Sequence, residues 1–260
     1  MTTVFFHAIF RTMDEEKPLV TAVSVRDGRI LGTGDQASLC AALDAAGEAY
    51  TLCDLNGTYV FPGFIDTCSA AAFDAFDAAC REEGVPPEEA TAWVKDAVDF
   101  ITDKGASVIC LHGPKGMLGS PTRRALEALE IPEESLIYDV EYRTELEEDG
   151  GAYYYEAILG DPNETFLLFN PIYDMHESIH ECLRALTCEA AAHIGRDDLG
   201  TIAPGKIANF TVFDENLYEN GRRAFERSHV LQIYRGGELA YDAEQQAVSD
   251  MYDLMLTQFV

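Results

Sequence analysis

The chain has 260 residues, enough for one large domain or two small ones, and hydrophobic residues make up 47% of it, which suits a packed core and excludes disorder. Acids outnumber bases 46 to 18, a formal charge of −28 that repels phosphate backbones and anionic lipid and so excludes nucleic acid and membrane surfaces as partners. Met1-Thr-Thr-Val-Phe-Phe-His has no basic segment, no apolar run nears the roughly 20 residues of a bilayer span, and the seven cysteines form no CxxC pair; the expectation is a cytoplasmic protein with reduced thiols.

Val4 to Phe10 is β-branched and aromatic and reads as a strand. Ala22 to Arg26 and Arg29 to Leu31 flank Asp27-Gly28, a two-residue hairpin signal because both turn positions need positive φ. Ser38 to Ala46 reads as a short helix. Thr51 to Leu55 then meets Asn56-Gly57, which predicts a second hairpin whose outgoing arm is Tyr59 to Asp66. That arm holds a Pro62-Gly63 corner and ends in an acid followed by Thr67-Cys68-Ser69-Ala70, small residues where a strand would hand over to a helix.

After Asp66 the period changes. Ala70 to Cys80 is alanine-rich and helical in pattern. Pro86-Pro87-Glu88-Glu89 opens a helix with Ala90, Trp93, Val94, Ala97, Val98 and Ile101 along one face, ended by Gly105. Ser107–Leu111, Ser135–Val140 and Thr165–Phe169 read as strands, separated by a helix from Ser120-Pro121 to about Glu130. Met175 to Ala192 is helical again. Strand and helix alternate, which implies a mainly parallel sheet with helices packed on it. Turn-rich Gly200–Gly205 leads to a strand at Asn209–Phe213, Val230–Tyr234 and Leu239–Tyr241 close a hairpin about Gly236-Gly237, and Ala243 to Val260 is an amphipathic helix.

Two separated segments carry a resemblance. Ala22 to Leu31, Asp54-Leu-Asn-Gly57 and Val60-Phe-Pro-Gly-Phe-Ile-Asp66 are similar to the N-terminus of the metal-dependent amidohydrolase superfamily. Leu186-Thr187, Ala191, Gly195 and Gly200-Thr-Ile-Ala-Pro-Gly-Lys-Ile-Ala-Asn-Phe-Thr-Val-Phe-Asp214 resemble its C-terminal segment. Asp214 to Tyr218 and Ile233 to Tyr241 resemble the amidohydrolase-3 or YtcJ-like subgroup. The resemblance implies a small β-sandwich built from both termini beside a metal-bearing (β/α)8 barrel. A full barrel takes roughly 250 residues, and only about 130 lie between Val60 and Gly195. The expected fold is therefore α/β plus β: a composite β-sandwich from residues 1–60 and 195–242, a reduced, partial-barrel α/β domain over 61–194, and a C-terminal helix over 243–260.

The same resemblance implies a His-x-His metal pair just after the Pro-Gly-Phe-Ile-Asp run, where this chain has Cys68 and Ala70. It implies a catalytic acid near Asn170, which is no carboxylate. The expectation is a pseudoenzyme: an amidohydrolase-like protein, related to hydrolases of non-peptide carbon–nitrogen bonds, with an eroded metal site. Asp66, Cys68 and His112 are the candidate catalytic residues of the alternative, a rebuilt C–N hydrolase in which the thiol is the nucleophile and a histidine its base. The bland readings stand beside these: Asp66 or Thr67 as a helix cap, and Cys68 as a buried core thiol. His176-Glu177-Ser178-Ile179-His180 matches H-E-x-x-H, the third reading, a zinc peptidase: on a helix the spacing sets His176 and His180 on one face as zinc ligands with Glu177 to activate water, though a metzincin's Gly and His are replaced by Leu183 and Leu186. Its bland reading is two polar helix positions. No cofactor is expected, zinc entering only with a rebuilt site. The expected partner is a second copy of the chain, covering the open edges of a partial barrel, with a small molecule as the other class.

Overall fold

A computed structural model describes residues 1–69, 80, 84, 86, 92, 95, 98–99, 102, 105–111, 136–138, 178–219 and 227–247; for 67–69, 111 and 136–138 only the backbone is described. The elements in order are strands β1 (Thr2–Arg11), β2 (Leu19–Arg26) and β3 (Arg29–Gly34), helix α1 (Gln36–Ala46), and strands β4 (Tyr50–Pro62), β5 (Phe64–Ser69), β6 (Ala106–Leu111) and β7 (Leu136–Tyr138). Helices α2 (Ile179–Leu186) and α3 (Cys188–His193) and strands β8 (Phe210–Phe213), β9 (Val230–Arg235) and β10 (Glu238–Asp242) complete them. Residues 243–247 begin the expected C-terminal helix, and the rest of it lies outside the described residues. The expected helices over 70–80 and 120–130, most of the Trp93 stripe and the strand at Thr165–Phe169 also lie outside them. Of that stripe, Val98 is described and is buried.

Both termini contribute to one seven-stranded mixed sheet, ordered β10-β9-β8-β4-β1-β2-β3. The expected composition is right, and the expected sandwich is corrected: the strands form one sheet that rolls. Ile30 N–H donates to Lys206 O at 2.9 Å and Gly205 N–H to Ile30 O at 2.8 Å, so the β3 edge bonds to the segment leading into β8. The Asp27-Gly28 turn, with φ of 51° and 77°, lies against the Gly236-Gly237 turn, with φ of 57° and 77°. Both hairpins form as their turn residues dictate. Inside the roll, Phe5 meets Phe210 and Tyr234 edge-on with centroids 5.5 and 5.1 Å apart, beside Val23, Val25, Val60 and Val212.

Asn56-Gly57 is not a hairpin. β4 runs straight through it, pairing in parallel with β1 on both sides (Phe6↔Asp54, then Ala8↔Thr58). The two residues keep positive φ, 54° and 80°, and sit opposite His7 at 55°. Left-handed geometry is what the dipeptide specifies; here it makes a bulge that bends the strand, because β1 holds both arms in line. His7 Nδ1 lies 2.8 Å from Asp54 Oδ1 across the bulge.

Pro62-Gly63 is the corner between two sheets. β4 ends in the rolled sheet and β5 opens a parallel sheet, ordered β5-β6-β7. Gly63 N–H donates to Asn209 O at 2.8 Å, and a Cβ built on Gly63 would fall on the Ser107 side chain, 2.6 Å from its Cβ. Buried polar groups finish this seam. Thr211 Oγ1 donates to Gly105 O at 2.9 Å and accepts from Phe64 N–H at 3.3 Å, and Ser107 Oγ donates to Phe64 O at 3.3 Å. Arg235 reaches from β9 to Ser107 O at 2.9 Å and Thr102 Oγ1 at 3.1 Å; burial lowers its pKa to about 10 against a small opposing effect of Asp99.

The helix expected from Met175 to Ala192 starts later and breaks once. Ser178 is extended (φ −145°, ψ 154°) and caps α2 in a reciprocal pair with Glu181. Thr187, at φ −127° and ψ −95°, separates α2 from α3. α2 buries Ile179, Cys182, Leu183 and Leu186 against Phe61, Phe64, Phe213 and Leu217, and α3 sets Ala190 and Ala191 against Ile65, Val108 and Cys110.

Candidate functional site

The first place to look is the carboxyl edge of the parallel sheet, where strands of such sheets deliver side chains to ligands. β5 and β6 run in parallel with Asp66 opposite Ile109 and Ser69 opposite Leu111, and Leu111 opposite Tyr138 extends the same edge to β7. Cys68 belongs to β5 by its backbone; its side chain and all of His112 lie outside the described residues. Asp66 is buried at 5% exposure, inside β5. The strand continues to Ser69, so Asp66 and Thr67 both lie within β5.

The H-E-x-x-H run does not form the helical site its spacing suggests. Ser178 lies between the two histidines and is extended, so no continuous helix carries both imidazoles on one face. His176 lies outside the described residues. His180 sits in the first turn of α2, exposed, with Nδ1 2.8 Å from Tyr218 Oη.

That histidine lines a cleft of about 260 Å³ which sequence reasoning did not anticipate. Arg11, at the end of β1, Met13, Asp14, Glu15 and Pro18, from the following loop, His180 and Arg184, from α2, and Tyr218 form its walls. The loop is built tightly: Thr12 Oγ1 donates to Lys17 O at 2.7 Å and accepts from Asp14 N–H at 3.1 Å, and Met13 turns at φ 57°. The Arg11 guanidinium carbon lies 4.2 Å above the centre of the Tyr218 ring, a cation–π contact. Tyr218 stacks on Phe61 at 6.4 Å, and burial raises its pKa despite the opposing charge of Arg11. Arg184 is paired, with Nε 2.9 Å from Glu189 and Nη1 3.6 Å from Glu15. Burial works against its charge, but the neighbouring Cys188, Glu189 and Glu15 hold its pKa above the ordinary value. No local signal announces this cleft, because Arg11, Arg184 and Tyr218 come from three distant parts of the chain.

The sequence profile of the amidohydrolase family matches residues 165–240. That match spans 76 of the 260 residues. The fold of the chain is amidohydrolase-like. A crystal structure titled as an amidohydrolase aligns with a TM-score of 0.62 at 12% identity, covering 93% of this chain and 99% of that one. Triazine hydrolase from Arthrobacter aurescens aligns at 0.62 and 11% identity, covering 97% and 99%, and a Xaa-Pro dipeptidase with bound methionine at 0.60 and 9%, covering 94% and 100%. No curated protein sequence matches the chain.

Against an amidohydrolase frame, the donor set at the end of β5 can be tested. The resemblance implies imidazoles at positions 68 and 70; this chain has cysteine and alanine there. A thiolate can ligate zinc, whereas alanine has no donor atom. A cysteine and an alanine do not fit the two-imidazole donor set that the resemblance implies. Asn170, where the catalytic acid is expected, lies outside the described residues.

Proposed function

We propose that this amidohydrolase relative acts as a binding protein rather than as a metal-dependent hydrolase. The observation that carries the reading is the residue pair Cys68 and Ala70 at the carboxyl end of the first parallel strand. Removing one imidazole and reducing the other ligand to a thiol leaves too few donors there for a closed or catalytic zinc site, which needs three or four. The inner parallel sheet is read as the start of a reduced barrel, on the strength of β5-β6-β7 and the length of the chain between the terminal segments. Equilibrating the purified protein with excess zinc, desalting it and measuring bound metal by mass spectrometry tests the proposal. The expected result is well below one zinc per chain; stoichiometric zinc together with hydrolysis of amide or imide substrates would overturn it.

A second reading is favoured by the parallel register alone. Ser69 pairs with Leu111, Cys68 precedes the first in sequence and His112 follows the second, and a thiol nucleophile needs an imidazole base within reach. In this reading the chain hydrolyses carbon–nitrogen bonds, the broad chemistry suggested by the dipeptidase and triazine hydrolase among its structural relatives. Metal-free protein that turns over such substrates, and loses the activity in Cys68→Ala and His112→Ala alike, would favour it over the binding role.

A further inference from the structure

We infer that the cleft between the β1 loop and α2 binds a small organic monocarboxylate with an apolar body, anchored by Arg11. Arg11 is the group that demands a ligand. Its Nε is buried with no hydrogen-bond acceptor, and no carboxylate among the described residues pairs with its guanidinium. In a chain where acids outnumber bases 46 to 18, a half-buried arginine with no acidic partner is an expensive arrangement. The second arginine of the cleft, Arg184, is already neutralised by Glu189 and Glu15, so it does not compete for the anion.

The rest of the lining selects the class. The Arg11 guanidinium carbon lies 4.2 Å from the centre of the Tyr218 ring, and the forked N–H groups of a guanidinium suit a carboxylate. Met13, Pro18 and the Tyr218 ring supply apolar wall for the body of the ligand. His180, its Nδ1 engaged by Tyr218 Oη, keeps Nε2 as a further polar contact. Asp14 and Glu15 stand at the same cleft, and with the overall charge they disfavour a dianion, so a single carboxylate fits where a phosphate does not. A volume of about 260 Å³ lies just under the roughly 300–1,000 Å³ of drug-sized sites and calls for a metabolite-sized molecule.

This inference does not depend on Cys68 or on whether the parallel-sheet edge is catalytic, so the two can fail separately. The test is calorimetric titration of the full chain with benzoate, benzyl alcohol and inorganic phosphate. Benzoate is expected to bind, with benzyl alcohol and phosphate each weaker by about tenfold or more. Arg11→Gln is expected to weaken benzoate by about tenfold or more, whereas Arg26→Gln, which removes the same charge outside the cleft at the far end of β2, stays within about threefold. Circular dichroism checks folding, and if the glutamine variant is unfolded, Arg11→Lys, which keeps the charge and loses the fork, takes its place with the same expected loss. Absence of benzoate binding to the unaltered chain, phosphate binding as tightly as benzoate, or full affinity in the Arg11 variant would each overturn the proposal.

Discussion

Gly63 is a residue whose absent side chain holds two sheets together. A methyl group there would collide with the Ser107 side chain and lie 3.0 Å from Asn209 Cβ, at the seam where Gly63 also donates to Asn209 O. Gly63→Ala is expected to cost about 2–3 kcal/mol in urea unfolding through overpacking. Adding Ser107→Gly removes the nearer obstacle, so the double variant should be less destabilised than the two single losses combined. An unchanged unfolding midpoint for Gly63→Ala would mean that the corner can relax and that the seam is not tightly packed. At this scale the sequence was partly legible. Pro62-Gly63 announces a corner, but nothing local says that Ser107 and Asn209 will close on it, or that Arg235 will bury its guanidinium against Ser107 O and Thr102. The same limit hid Arg11, whose partner ring at Tyr218 lies in the opposite part of the chain.

Among the elements, the local turn chemistry was read correctly and its consequence was not always so. Asp27-Gly28 and Asn56-Gly57 carry the same instruction, two successive left-handed residues. The first reverses the chain because its arms pair with each other; the second bends it because both arms pair with β1. Which outcome follows is decided by a third strand, and a dipeptide cannot encode that. Helix α2 shows a similar division: its apolar face is evident in the sequence, but Ser178 and Glu181 start it at Ile179, so the H-E-x-x-H run does not lie on one continuous helix. The closure of β3 onto the segment before β8 rests partly on Asp198, which accepts from Arg196 Nε at 2.8 Å and from Arg29 Nη2 at 3.3 Å. The hydrogen bond from Arg196 lowers the Asp198 pKa, against burial and with help from Arg29. A carboxyl group whose folded value lies below its unfolded one stabilises the fold above about pH 4 and loses that contribution as pH falls through the folded value. Asp198→Asn should therefore lower the urea midpoint at pH 7 and have a smaller effect at pH 3. An equal deficit at both pH values would assign the residue a purely steric role.

For the whole molecule, the composite sheet drawn from both terminal regions was legible, since the terminal segments each carried a specific resemblance and clear strand periodicity. Their rolling into one sheet was not, because it depends on contacts such as Ile30 with Lys206 that no periodicity reports. The pairing of β4 with β8 has a consequence in time. Val60 pairs with Val212, roughly 150 residues further along, and in the strand order β4 stands between β1 and β8. A ribosome adding about 5–20 residues each second leaves the β4 edge without its partner for roughly 10 seconds or more. During that interval the edge at Tyr59 to Phe61 lacks the strand that covers it in the folded sheet. Pulse-labelling hydrogen exchange during refolding should show amide protection in Val60 appearing together with that in Val212. Early, independent protection of Val60 would mean that the first sixty residues fold before their distant partner arrives.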